Sequence, residues 1–313
     1  MQQRLLLIKD DDMTFFTSEN VIFMGSILIF CSTLITKAGG RFGMPTLLLF
    51  LVAGMLFGCD GLGIHFDNVR QAQFVGMVAL CVILFTGGLE TKISDIRPVL
   101  GPGLTLSTLG VLLTTALTGF FIYAMSVWDT IPFELPLVTC FLLAATMSST
   151  DSATVFNILR GKSINLKGNL QPMLELESGS NDPMAYILTI VLIDLALTVG
   201  SGGTAVMEPS VIIVDSLKIL VQQFAAGAMI GACAGYATVW VMKKVNLNNI
   251  PLYSIMLMSI VFFTFSVTNM LDGNGYLAVY IAGIIVGNNK IKDRRQVVAF
   301  FDGMTWIVQI GMF

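Results

Sequence analysis

The chain has 313 residues, 55% of them hydrophobic and only 12% charged, with mean hydropathy +0.82 and a formal net charge of −3. A soluble domain carries about 25% charged residues, so a chain this apolar needs lipid as its outer solvent. The acidic balance excludes a basic surface for nucleic acid. The single histidine, His65, excludes a histidine-rich metal site, and Cys31, Cys59, Cys81, Cys140 and Cys233 lack C-x-x-C spacing and read as small apolar side chains.

Residues 1–12 mix Arg4 and Lys9 with Asp10, Asp11 and Asp12, and no small-residue cleavage site follows. The segment 1–19 therefore reads as an uncleaved extracytoplasmic N-terminus ahead of a first span. A membrane crossing takes roughly 20 mostly apolar residues. Ten apolar runs meet or approach this, near 20–36, 43–58, 73–89, 99–125, 135–158, 171–199, 211–242, 251–271, 275–288 and 298–313. The second and ninth are short. No soluble domain or long linker separates them.

Basic residues fall in alternate loops: Lys37 and Arg41; Lys92 and Arg97; Arg160, Lys162 and Lys167; Lys243 and Lys244; Lys290, Lys292, Arg294 and Arg295. That is 13 of 17, against Arg4, Lys9, Arg70 and Lys218 on the other side. Such a split places the basic loops in the cytoplasm and the N-terminus outside. The short runs LLLFLVAGMLFGCD and YLAVYIAGIIVGNN align Ala53-Gly54 and Gly58 with Ala282-Gly283 and Gly287, an offset of 282 − 53 = 229 residues. Alternation gives the two runs opposite directions, which points to an inverted repeat; two unrelated small-residue packing faces are the other reading.

The fifth run carries TMSSTDSATVF, with Thr146, Ser148, Ser149, Thr150, Asp151, Ser152 and Thr154. A charged side chain at the membrane centre costs about 2.5–3.5 kcal/mol, so it marks function by default. The hydroxyls offer the backbone other hydrogen bonds, and an unwound stretch here would present carbonyl oxygens to a cation. An ordinary helix holding a neutral, hydroxyl-paired Asp is the alternative. The sixth run carries ELESGSNDPMAY. Asp182 lies about 15 Å along it, near the bilayer centre. Pro183 has no N–H, which frees the Gly179 carbonyl, and Asn181 adds an amide. These are hard oxygen ligands suited to an alkali cation. Glu177 needs a partner, while Glu175 and Asp194 read as interface residues. With no histidine base, phosphate loop or paired nucleophile, the chain does not read as an enzyme, and no cofactor is implied.

The stretch SSTDSATVFNILRGKSINLKGNLQPMLELESGSNDPMA resembles the core of the bacterial monovalent cation/proton antiporters of the first cation–proton antiporter class, closest to the NhaP-type potassium/proton antiporters. FLVAGMLFGCDGLGIHFDN, LFTGGLE, LGPGLTLSTLGVLLT, GNGYLAVYIAGIIVGNN and FDGMTWIVQIGMF extend the resemblance over 20–313. It implies an all-α polytopic membrane protein of the inverted-repeat antiporter fold with discontinuous helices. About ten of an expected thirteen spans are present. Residues 20–242 would form the first repeat plus a linking helix, and 243–313 the start of a second repeat, cut short. The resemblance further implies a multi-pass protein of the bacterial inner membrane, a homodimer, exchanging K+ or Na+ for protons. Asp182 would take cation or proton in turn, Asp151, Thr150 and Ser178 would complete the site, and Asn181 would hold its shape. The residue matching Glu177 pairs with an Arg on a later helix that this chain lacks. Thr86 stands where the family often has an acid. A uniporter, a channel or a transport-inactive truncated form on the same fold stays open at this stage.

Overall fold

The computed structural model describes residues 18–42, 46–59, 61–63, 68–128, 135–151, 155, 166–200, 209–247, 249 and 251–312. The N-terminal segment up to residue 17, His65, Ser152 and Thr154 of the hydroxyl run, and the basic residues Arg160 and Lys162 lie outside them. Among the described residues there is no strand. The described residues form ten helical spans: α1 Ser18–Phe42, α2 Thr46–Phe57, α3 Val69–Glu90, α4 Ile93–Val127, α5 Leu137–Thr146, α6 Leu170–Gly200, α7 Pro209–Lys244, α8 Pro251–Met270, α9 Gly275–Gly287 and α10 Arg294–Met312, with Val155 helical besides. Five are long and apolar enough to cross a membrane: α3, α4, α6, the 217–244 part of α7, and α8. These ten follow the ten apolar runs. The largest difference is at the fifth, whose helix stops at Thr146. α2 and α9 begin at Thr46 and Gly275, an offset of 275 − 46 = 229 residues, equal to that of the glycine register.

The chain packs as two units, residues 1–79 with 306–313, and residues 80–305. In the first, α1 lies against α2 and the Phe50 ring meets Trp306 edge-on at 6.4 Å. Asn68 caps α3 by accepting from the Gln71 amide at 3.1 Å.

The second unit is organised around α9. This helix is apolar all round, and eleven of its thirteen residues are buried, as expected of a helix with no polar face. At about 20 Å it is shorter than the hydrocarbon core. Its neighbours meet it through glycine. A Cβ on Gly227, Gly231 or Gly235 of α7 would lie 2.7, 2.5 or 2.9 Å from Asn274, Ala278 or Ile285. On the other side, a Cβ on Gly88 of α3 would come within 2.5 Å of the Tyr280 carbonyl oxygen, and one on Gly283 within 2.6 Å of the Phe85 carbonyl oxygen. Small residues at four-residue spacing let backbones approach this closely.

These contacts also fix relative helix directions. Residues 227, 231 and 235 climb with 274, 278 and 285, and Phe85 and Leu89 climb with Gly283 and Gly287, so α9 runs parallel to α7 and α3. Gly179 meets Tyr280 while Pro183 meets Asn274, so α9 runs antiparallel to α6. On α4, Gly103 meets Leu176 and Val111 packs with Met184 and Ala185, making α4 and α6 parallel. Gly119 against Phe141, with Ser126 accepting from the Leu135 amide, makes α4 and α5 antiparallel. Every one of these directions is the one that alternation along the chain requires. At one end of this unit the basic loops meet. Asn288 accepts from the Ile93 amide at 2.9 Å and donates to the Thr91 carbonyl at 2.8 Å, and Lys292 donates to Asn246 at 2.6 Å.

Within α4, residues Leu106–Gly110 form a π-helical turn. Thr108 donates to the Leu104 carbonyl at 2.7 Å and Ser107 is fully buried. Insertions of this kind relieve a helix whose regular bonding is disturbed.

Candidate functional site

The last turn of α5 tightens before it ends. The amides of Met147 and Ser148 bond to the carbonyls of Ala144 and Ala145, three residues back, each at 3.2 Å. Thr146 and Ser148 hydroxyls bond to the carbonyls of Leu143 and Ala145 at 2.7 and 2.8 Å. The hydroxyl run thus takes over backbone partners that a continuing helix would need. Ser149, Thr150 and Asp151 lie outside helix. The Asp151 carbonyl then accepts from the amide of Val155, a helical residue, at 3.1 Å. Asp151 therefore stands where a helix-starting residue stands, beside a break in the chain.

Helix α6 passes that break with Ser178, Asn181 and Asp182. Ser149 Oγ donates to Asp182 Oδ1 and lies 3.2 Å from Asn181 Oδ1. Asn181 Nδ2 donates to Thr150 Oγ1 and, at 3.1 Å, to Glu177 Oε1. Thr150 Oγ1 reaches Ser178 Oγ at 3.5 Å. Ser178 and Asn181 are buried, Glu177 and Asp182 half-buried, and Thr150 and Asp151 sit at the open edge. The structure thus joins Asp182, Asn181, Glu177, Ser178 and Thr150 in one hydrogen-bonded network, with Asp151 adjacent through the backbone.

Three residues of this region were not named as site residues in the sequence reading, although Ser149 belonged to its hydroxyl run. Ser149 bonds Asp182 directly. Asn274 is fully buried; its Nδ2 donates to the Pro183 carbonyl at 3.1 Å while its Oδ1 accepts from Leu277 N at 2.9 Å, capping α9. The signal was there: an Asn immediately before an apolar helix start is a capping signature. Tyr280 lies so close to Gly179 that a Cβ there would sit 2.7 Å from its ring; nothing short of the folded packing shows this. Glu177 finds a partner in Asn181, four residues on. Glu175, read as an interface residue, is 8% exposed and accepts from Gln171 at 3.2 Å. The Thr86 hydroxyl donates to the Val82 carbonyl at 2.7 Å and meets Thr305 at 3.1 Å. Among the described residues no three His, Cys, Asp or Glu side chains form a metal cluster; the oxygens at the break are mostly neutral, which suits a weakly held monovalent ion better than a divalent one.

A helical membrane domain with carboxylates and neutral oxygens gathered at a broken helix is the architecture of a secondary ion transporter. The family description "Sodium/hydrogen exchanger, transmembrane" matches residues 26–313, and the chain belongs to that family. It is 38% identical over 300 residues to the K(+)/H(+) antiporter NhaP2 of Shewanella oneidensis, covering 95% of this chain and 49% of that protein. It is 36% identical to the K(+)/H(+) antiporter NhaP of Alkalimonas amylolytica, covering 93% and 48%. The chain spans about half the length of these relatives. A map of MjNhaP1, a sodium proton antiporter of Methanocaldococcus jannaschii, shares the fold with a TM-score of 0.74 at 20% identity, covering 94% of this chain and 68% of that one.

Proposed function

We propose that this chain exchanges a monovalent cation, K+ or Na+, for protons across the bacterial inner membrane, with the cation held at Asp182, Asp151, Thr150 and Ser178. The observation that carries this is the joining of Asp182 to a break in α5 by Ser149, Asn181 and Thr150. A carboxylate there can hold a cation or a proton, not both, because the proton removes the charge that attracts the cation. Carrying the empty, doubly anionic site through an apolar barrier is costly. Only the loaded forms then change sides, and that obligation makes the exchange one-for-one in occupancy. Asn181 supports the site by orienting Thr150 and Glu177 through its amide nitrogen.

Sequence and fold together support a wider frame. The equal 229-residue offsets of the glycine register and of the α2 and α9 starts support an inverted repeat in which 20–242 holds the first unit and 243–313 begins the second. Basic loops meeting at one end of the 80–305 unit support a cytoplasmic placement of that end, with the N-terminal segment 1–19 outside. The working form is a homodimer without a cofactor. The test is cation-driven proton movement in everted vesicles. Asp182→Asn should insert normally and lose exchange; retention of more than roughly a tenth of the wild-type rate removes this reading.

A further inference from the structure

Ser149 occupies an unusual position among oxygens. Its hydroxyl donates to Asp182 Oδ1 and lies 3.2 Å from Asn181 Oδ1 and 3.3 Å from the Thr150 carbonyl oxygen. Those three atoms accept hydrogen bonds and donate none, whereas a serine hydroxyl carries one proton. The orientation of Asn181 is settled by its other end. Both Nδ2 hydrogens are committed, to Thr150 and to Glu177, which turns Oδ1 toward Ser149. Three acceptors around one proton make a poor hydrogen-bonded cluster and a good alkali-cation cluster, since hard oxygens are what such a cation requires. Ser149 lies outside helix, past the end of α5 at Thr146, and its hydroxyl turns about its own Cβ–Oγ bond. Its neighbour Ser148 differs: that hydroxyl is buried and committed to the Ala145 carbonyl.

We propose that Ser149 is a direct ligand of the transported cation, its hydroxyl donating to Asp182 in the empty site and turning its lone pairs to the cation in the loaded one. This rests on the exchange reading above. The same hydroxyl serves both states, so an occupied and an empty site cost little to interconvert.

The test is exchange by the intact protein in everted vesicles, with apparent Km and maximal rate measured for Na+, K+ and Tl+. Ser149→Ala should raise the apparent Km for Na+ and K+ roughly tenfold, with maximal rate within about threefold. Ser149→Thr keeps the hydroxyl and should stay near wild type. Ser149→Cys should resemble Ala toward Na+ and K+ but recover at least about threefold toward Tl+, a softer cation that accepts sulfur. Ser148→Ala should leave all values unchanged. Unchanged Km in Ser149→Ala overturns the proposal, as does a Cys variant no better than Ala toward Tl+. Should Ser149→Ala fail to insert, the Tl+ to K+ preference of the Cys variant against the Thr variant decides, equal preferences counting against it. An active Asp182→Asn would remove the exchange reading itself, whatever the Ser149 variants do.

Discussion

Replacing Gly287 by alanine tests the packing that surrounds α9. A Cβ at this position would lie 2.0 Å from the Leu89 carbonyl oxygen and 2.6 Å from its carbon, where ordinary contact begins at 3.4 Å. The obstacle is main chain at the end of α3, so no rotamer change clears it, and the two helices must part by about 1.4 Å (3.4 − 2.0). Parting strains the Asn288 clamp to Ile93 and Thr91 as well. Overpacking of this kind costs roughly 1–3 kcal/mol, and a weakened hydrogen bond about 1 kcal/mol. Alanine's better helix propensity returns about 1 kcal/mol. The net loss of roughly 1–3 kcal/mol should lower Tm by about 2–5 °C for a chain of this size. Gly101 and Gly110 supply the controls, because a Cβ on either meets nothing within 4 Å; alanine there should leave Tm unchanged or raise it slightly. Gly235→Ala, whose nearest obstacle is the Ile285 Cβ at 2.9 Å, should fall between. Thermal unfolding of detergent-solubilised protein can be followed with a thiol-reactive dye, since Cys81 and Cys140 are buried. A Gly287→Ala protein that melts at or above Gly110→Ala would refute the account of α9 as a helix held by backbone contact.

Asn274→Ala should remove both the cap of α9 and the bond to Pro183, costing roughly 1–3 kcal/mol; faster hydrogen exchange at the first amides of α9 would check it, and unchanged protection would contradict it. Asn274→Asp keeps the cap acceptor without the donor and should lie between alanine and wild type. Single cysteines at Lys92, Lys244 and Lys290 should be labelled by impermeant reagent from one side only, the cytoplasmic one, and a cysteine at Asp272 from the opposite side. Labelling of Lys92 and Lys290 from different sides would break the shared placement of those loops.

The sequence carried the helices well because a membrane simplifies the problem: an apolar run of sufficient length has one good conformation in lipid. Runs 73–89 and 251–271 became α3 Val69–Glu90 and α8 Pro251–Met270. The run 135–158 is one apolar stretch by composition, and the chain leaves helix after Thr146 within it. The hydroxyl density of residues 146–154 pointed to such a break. For the site, the sequence reading named the α6 residues, whose i, i+1, i+4 and i+5 spacing is local: Glu177, Ser178, Asn181 and Asp182. It placed Ser149 only in the hydroxyl run and did not name Asn274, because their importance lies in which atoms of another helix they reach, 33 and 91 residues away. Tyr280 was invisible for a further reason. Its role depends on Gly179 having no side chain, and that is a property of two residues taken together.

The position of α9 explains how a polar site persists inside so apolar a chain. A break in α5 and a proline in α6 leave main-chain groups without helical partners, each costing several kcal/mol if exposed to hydrocarbon. Around these groups neighbouring helices supply polar side-chain contacts on both sides of the site. Ser149 and Thr150 meet Asn181 and Asp182 across one face of α6, and Asn274 meets the Pro183 carbonyl across another. Asn274 can do this because it caps a helix that is buried nearly throughout, and α9 can be buried because Gly227, Gly231, Gly88 and Gly283 let α7 and α3 close on it. The glycines of three helices thus determine where one amide sits, beside the carboxylate proposed to carry the ion. A mutation in that glycine contact is therefore expected to disturb exchange as well as stability, although none of these glycines touches the site oxygens.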